Sequence, residues 1–168
     1  MEQDVNSLGG KMILVGYRAA KSKRVARSTL AGETLAMIGM CEEAVYLQEW
    51  LHEHAHPELT SWQLIQVADE DFIELTLLTD AENLEQLLTH PAAAMPADRS
   101  LMLYLSALRE DYRSGRVKHV GWIDTKDMIA NGLTKLDEDG TIPSEELPEV
   151  LKQGLWQPKF TYKLDGVR

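Results

Sequence analysis

The sequence predicts a mixed α/β fold, and three observations lead to that prediction. Residues 28–53 repeat apolar side chains at the three- and four-residue spacing of an amphipathic helix. Short runs rich in β-branched residues and leucine, typical of strands, precede and follow this segment at 11–17 and 72–80. The whole order is strand, long helix, strand, helix, helix, strand and helix, which predicts a sheet flanked by helices.

The long helix has a start signal and an apolar side. Ser28 or Thr29 can cap its first amide groups. Its apolar stripe consists of Leu30, Leu35, Ile38, Cys41, Val45, Leu47 and Leu51. Cys41 is the only cysteine, so we expect a buried thiol and no disulfide within the chain. The histidines of HEHAHPE are expected to cap the helix C-terminus and not to bind zinc, because only the outer two share a face.

The predicted strand at 72–80 ends in an acidic residue, Asp80, and the helix-forming run AENLEQLLTH follows at once. Functional side chains of α/β proteins often lie at the carboxyl end of a buried strand. An aspartate in this position can equally cap the following helix. Both roles for Asp80 stay open on this pattern alone.

The second half of the chain predicts a helix at 98–115, a strand at 116–123 and a short helix at 125–135. Asp98 is the expected cap of the first of these helices, which turns Leu101, Leu105 and Leu108 inward and stops at Gly115. Asp124 directly follows the predicted strand and is expected to lie in a turn. Residues 136–168 show no long period, so we expect a tail that packs on the domain at 1–135.

Charge and composition limit the classes to which this protein can belong. The chain has 168 residues, enough for one domain, and a net charge of −10, which argues against nucleic-acid binding by bulk electrostatics. One local segment, 18–27, is nevertheless basic and can approach a phosphate backbone through Lys21, Lys23, Arg24 and Arg27. No apolar run spans a membrane and no signal peptide is visible, so we expect an intracellular protein, in the cytoplasm or the nucleus.

Three motifs together resemble a known family. KSKRVARSTLAGETLAM resembles the SK…SS-x-x-x-E-x-x-A segment of the ribonuclease H domain in the Pol polyproteins of copia-type retrotransposons. LLTDAENL resembles the family's strand ending in an aspartate, and WIDTKDMIANGLTK resembles its closing W-x-x-T-x-D-x-L-A-D-x-L-T-K motif. The resemblance implies a ribonuclease H-like mixed sheet flanked by helices, and hydrolysis of RNA in RNA/DNA hybrids with Mg²⁺ or Mn²⁺.

The resemblance also implies the catalytic residues. The helix glutamate of the family corresponds to Glu33 and its second-strand aspartate to Asp80, both as metal ligands. The last aspartate of the family corresponds to Asn131, which brings no charge, and Asp127 could substitute in part if it lies one helical turn earlier.

The family's first aspartate lies on an opening strand that this sequence lacks, although Asp4 lies near the place. We therefore expect an impaired nuclease within a Pol polyprotein. The alternative is an acidic interaction module that keeps the fold without the chemistry.

Overall fold

The computed structural model describes residues 8–17, 26, 28–60, 63, 73–134 and 146–165. The strands are β1 (Gly10–Lys11), β2 (Thr76–Thr79), β3 (His119–Ile123), β4 (Leu155–Trp156) and β5 (Tyr162–Leu164). The helices are α1 (Thr29–Ala55), α2 (Glu82–Thr89), α3 (Arg99–Arg113), α4 (Asn131–Thr134) and α5 (Glu146–Gln153). These elements confirm the mixed α/β class.

The main sheet has the strand order β2-β3-β5. β2 and β3 run parallel, with Thr79 opposite Trp122, and β5 lies antiparallel to β3. β1 and β4 form a separate antiparallel pair. Two of the five strands in the described residues, β4 and β5, therefore come from the segment expected to be a packing tail, and β5 extends the main sheet directly.

The hydrophobic core lies between this sheet and the helices α1, α2 and α3, which pack on one another. Its buried members are Met37, Cys41, Leu77, Leu84, Leu88, Leu101, Leu105, Leu108, Val117 and Val120. The predicted inward face of the helix at 98–115 is thus confirmed. Asp98 caps α3 by accepting hydrogen bonds from the amides of Ser100 and Leu101, and Gly115 follows with a φ of +80°.

The long helix is confirmed, but its buried side differs from the predicted stripe. Ser28 is the N-cap and accepts a hydrogen bond from the Ala31 amide. The buried residues of α1 are Thr34, Met37, Cys41, Gln48 and His52. Thr34 and Gln48 can be buried because their side chains donate to the backbone carbonyls of Leu30 and Ile73, respectively. His56 is the C-cap residue, as expected of the terminal histidines.

Three predicted elements are shorter than their sequence patterns. The run at 11–17 is wrong as a full strand, because only Gly10–Lys11 pairs and the side chains of Ile13 and Val15 are exposed. Among the described residues, the predicted strand at 72–80 forms only at β2 and the predicted helix at 125–135 forms only at α4. A strand needs a hydrogen-bonding neighbour, which a sequence pattern does not supply.

Arg109 joins α3 to the end of α2. Its guanidinium donates to the carbonyls of Leu87, His90 and Ala93, which lie in the last turn of α2 or just beyond it. Burial lowers the pKa of Arg109, with the nearby Arg113 charge acting in the same direction. The hydrogen bonds to carbonyl oxygens offset the cost of burying this cation.

Asp165 fastens β5 to the rest of the fold. Its carboxylate accepts hydrogen bonds from the Tyr112 hydroxyl at 3.0 Å and from the Val120 amide at 3.1 Å, and it pairs with His119 Nδ1 at 2.7 Å. Its φ of +54° lies in the left-handed region, which aspartate tolerates better than most residues. One carboxylate thus connects α3, β3 and the end of β5.

Among the described helices, none is both long enough and apolar enough to cross a bilayer.

Replacing Gly121 by alanine tests the closeness of the three strands. A Cβ at this position would lie 2.7 Å from Leu164 Cδ2 and 2.9 Å from Leu78 Cδ2 and the Lys163 carbonyl oxygen. We expect Gly121→Ala to lower the free energy of unfolding by about 1–3 kcal/mol, because the neighbouring strands must shift. Urea unfolding measures the change.

Gly39→Ala is the matched control for this substitution. Gly39 lies within α1, and nothing stands within 4 Å of the added methyl group. Alanine there should raise the free energy of unfolding by about 0.5–1 kcal/mol through helix propensity. Equal effects at the two glycines would show that Gly121 is not sterically required.

We expect the folded protein to lose stability at alkaline pH, where the Tyr112 hydroxyl ionises. Burial, and then the hydrogen bond to Asp165, raise the pKa of Tyr112 from 10.0 to about 12. The unfolded chain therefore releases this proton first, and the stabilisation that is complete below pH 10 is lost as the pH rises from 10 to about 12. We expect the stability difference between the protein and Tyr112→Phe to be constant up to pH 10 and to shrink above it.

The comparison also cancels the contribution of Cys41, whose thiol titrates in this range. Burial, followed by the charge of Asp111, raises the pKa of the Cys41 thiol from 9.0 to about 11, which acts in the same direction. Both proteins retain Cys41, so its contribution is common to them. A difference that stays constant through the alkaline range would contradict the role assigned to Tyr112.

Candidate acidic site at the carboxyl ends of the parallel strands

Two aspartates stand at the same edge of the sheet. Asp80 directly follows β2, and Asp124 directly follows β3. Because the two strands are parallel and Thr79 is opposite Trp122, their carboxyl ends meet at one edge. The structure therefore places Asp80 beside the turn that begins with Asp124. This edge is the candidate site.

The backbone around Asp80 is fixed by its neighbours. The Thr79 hydroxyl accepts a hydrogen bond from the Ala81 amide at 3.1 Å, and the Asp80 carbonyl accepts one from Trp122 Nε1 at 3.1 Å. The N-cap of α2 is Ala81, without a side-chain cap, so the alternative role of Asp80 as that cap is wrong. The Asp80 side chain is half-buried, and its carboxylate has no hydrogen bond or ion pair with the described part of the chain.

A cation lies close to this edge. Lys163 on β5 stands opposite Trp122, and its ammonium group lies 5.5 Å from the centre of the indole ring. The same ammonium group forms an ion pair with Glu82 in the first turn of α2. Glu82 is thereby neutralised, and the dipole of α2 also favours a carboxylate there. The net acidity of the edge comes from Asp80 and Asp124.

Asp127 has a structural role in the C-terminal segment. It is fully buried, and its carboxylate accepts hydrogen bonds from the backbone amides of Lys159 at 3.0 Å and Phe160 at 2.8 Å. The expected position one helical turn before Asn131 is wrong, because the helix begins only at Asn131. Asp127 therefore holds the chain that leads into β5, and its oxygens are committed to amides.

Asn131 also has a local role. Its Nδ2 donates a hydrogen bond to the Thr125 carbonyl at 2.9 Å, which closes the turn that follows β3. Asp124 Oδ1 accepts from the Lys126 amide at 2.9 Å within the same turn. The segment that resembles the closing motif of the family is therefore a hydrogen-bonded turn followed by one short helix.

Glu33 lies in the second turn of α1, where it was expected, and its side chain is half-buried. α1 packs against β2, the strand that ends at Asp80. Within the described residues, however, no three histidine, cysteine, aspartate or glutamate side chains are grouped to hold a metal ion. The structure thus brings the helix of Glu33 to the strand of Asp80 without forming a three-carboxylate group.

The remaining predicted contacts fall outside the described residues. They are the basic side chains Lys21, Lys23, Arg24 and Arg27, together with Asp4.

No protein-family model, curated protein or solved structure matches this chain. The resemblance to the copia-type ribonuclease H domain therefore remains a prediction that rests on the three sequence motifs.

Glu85 is a buried acidic residue that the sequence analysis did not single out. It is fully buried on α2, and Oε1 accepts a hydrogen bond from the Thr89 hydroxyl at 3.1 Å. Its other oxygen, Oε2, has no hydrogen-bond partner in the described structure. The available signal was the spacing in ENLEQLLT, which puts Glu85 next to Leu84 and one turn before Leu88 on the inward face.

A groove between α1 and α3 is separate from the acidic edge. Its lining residues are Ile38, Cys41, Glu42, Val45, Glu49, Ala107, Asp111 and Arg116. Cys41 is only 2% exposed, which confirms the predicted buried thiol. Because burial and the charge of Asp111 raise its pKa to about 11, the thiol stays protonated at neutral pH and is a poor nucleophile.

Substitution of Asp127 tests its structural role. An asparagine can accept from the Lys159 and Phe160 amides only through one oxygen, and its NH₂ group would face a donor. We expect Asp127→Asn to lower the free energy of unfolding by about 1–3 kcal/mol, equally with and without Mg²⁺. Urea unfolding in both conditions measures this.

Asp124→Asn is the matched control, three positions earlier. The Asp124 side chain accepts one hydrogen bond in a turn, a role that asparagine fills nearly as well. Without Mg²⁺, its stability should change by less than about 0.5 kcal/mol. A loss in Asp127→Asn that appears only with Mg²⁺ would instead make Asp127 a metal ligand.

Proposed function

We propose that this chain is the ribonuclease H-like domain of a retrotransposon reverse transcriptase polyprotein, which hydrolyses the RNA strand of RNA/DNA hybrids weakly. The observation that carries the proposal is the uncommitted, half-buried carboxylate of Asp80 at the end of β2, beside Asp124 at the end of parallel β3. The three motifs support the same assignment. Its setting would be intracellular, with the rest of the Pol polyprotein as partner.

The acidic edge fits one hydrated Mg²⁺ or Mn²⁺ ion better than two. Magnesium prefers oxygen ligands and usually keeps several waters beside one or two carboxylates. Asp80 and Asp124 would provide such oxygens, whereas the Asp127 carboxylate is already committed to two backbone amides. When bound, the ion would activate water and stabilise the leaving oxygen. A pair of ions held by four carboxylates does not fit the described residues, which is the reason for proposing weak activity.

The other residues of the edge would orient the site. Trp122 holds the Asp80 backbone through its indole N–H, so the position of the carboxylate is set by the sheet. Lys163 is paired with Glu82 and therefore does not neutralise Asp80 and Asp124, so the acidic edge keeps its negative charge. Glu33 would act from α1, which packs on β2, and Lys21, Lys23, Arg24 and Arg27 would contact the phosphates of the hybrid.

A second function is favoured by a specific observation. The described residues contain no group of three metal-binding side chains, and the side chains of both Asp127 and Asn131 are engaged in hydrogen bonds with the backbone. This arrangement supports an acidic interaction module that has kept the fold and lost the chemistry. The two functions differ in one measurable property, which is metal-dependent cleavage.

Cleavage of a labelled RNA/DNA hybrid by the whole chain tests the proposal. We expect slow cleavage that requires Mg²⁺ or Mn²⁺, and a loss of about 100-fold or more in Asp80→Asn and in Glu33→Gln, because the first removes a proposed metal ligand and the second removes the glutamate that the family resemblance assigns to the site. Metal-dependent broadening of the Asp80 and Asp124 amide signals by Mn²⁺ would locate the ion independently of cleavage.

Glu49→Gln is the matched control for the glutamate variant. Glu49 is exposed on the same helix and lines the separate groove, so its loss should leave cleavage unchanged. Cleavage that survives in Asp80→Asn would point to a contaminating nuclease and refute the assignment. A folded chain that neither cleaves the hybrid nor shows Mn²⁺ broadening at the edge would establish the interaction module instead.

A further inference from the structure

The outer edge of β2 is unpaired in the described part of the chain. β2 is the end strand of the order β2-β3-β5, and His119 donates its amide to the Leu75 carbonyl. In a parallel pair, every second residue of a strand directs its backbone groups to the neighbouring strand. Because Leu75 faces β3, Leu77 and Thr79 also direct their backbone groups to β3, and Thr76 and Leu78 direct theirs outward. Such a row of unpaired amides and carbonyls is a template for a further strand.

A second unpaired segment of strand-like character occurs in the same chain. After the Met12 amide, which bonds to the Gly154 carbonyl, residues 13–17 make no backbone hydrogen bond with the described residues. The side chains of Ile13, Val15 and Tyr17 are 87%, 67% and 66% exposed, while the intervening Leu14 is half-buried. In an extended strand these three residues would share one face, which would leave large apolar side chains in water.

We propose that two copies of this chain associate by strand addition, with residues 13–17 of each copy pairing with the outer edge of β2 in the other. The backbone groups of Thr76 and Leu78 would gain partners, and the apolar face of the segment would leave water. The occupant is a second copy because one molecule carries both halves of the contact. Two equivalent contacts then form a closed, twofold dimer.

The contact itself is uncharged, so a second copy can form it although each copy is acidic. Residues 13–17 and 75–79 contain no charged side chain, although the whole chain carries a net charge of −10. The repulsion between two acidic copies therefore acts away from the paired strands and is screened by salt. Association should consequently strengthen as the salt concentration rises, in contrast to a contact made through ion pairs.

Sedimentation of the full chain over a range of concentrations tests the dimer. We expect a reversible monomer–dimer equilibrium, and a dissociation constant at least about tenfold higher in the double variant Ile13→Lys, Val15→Lys, because two charges would enter an apolar contact. Leu103→Lys is the matched control, since Leu103 is 69% exposed on α3 and lies outside the contact. The control should dimerise as the original chain does.

Amide hydrogen exchange identifies the edge in contact and does not rely on the variants. In the dimer we expect slower exchange at Thr76 and Leu78 than in the dilute monomer, with Leu77, which faces β3, unchanged. A chain that stays monomeric, a dimer that the Ile13 and Val15 substitutions leave intact, or a dimer without protection at Thr76 and Leu78 would overturn the proposal.

Discussion

The parallel pairing of β2 with β3 is the constraint on which the rest of the structure depends. It brings the chain back through α2 and α3, whose leucines fill the core against Leu77 and Val120. It also puts Asp80 and Asp124 at one edge, because parallel strands end on the same side. Gly121 allows the pairing to continue into β5, since any side chain there would meet Leu78 and Leu164.

The sequence predicted the helices better than the strands, and the difference has a physical cause. Helical hydrogen bonds are local, so the spacing of apolar residues and the caps at Ser28 and Asp98 were enough to place α1 and α3. A strand is completed by a partner far away in sequence. The run at 11–17 is as apolar as a buried strand, yet it pairs only at its first residues. The buried Thr34 and Gln48 escaped prediction because their hydrogen-bond partners are visible only in the fold.

The acidic residues were predictable by position but not by role. Asp80 lies where the sequence placed it, at the end of a strand, and its carboxylate is uncommitted. Asp127 belongs to the same set of expected ligands, but it holds the amides of Lys159 and Phe160 in a segment more than thirty residues later. A motif identifies an oxygen donor, whereas only the three-dimensional contacts decide whether a metal or a backbone amide receives it.

The candidate site and the proposed dimer contact share β2, and this has a chemical consequence. A strand added to the outer edge of β2 would lie about 4.8 Å from it, so its end would lie close to Asp80. Residues 13–17 contain no carboxylate. A second copy would therefore satisfy the backbone of Thr76 and Leu78 without adding a metal ligand, whereas a strand carrying an aspartate at that level would supply one. What pairs with this edge thus determines whether Asp80 belongs to an interface or to a more complete metal site.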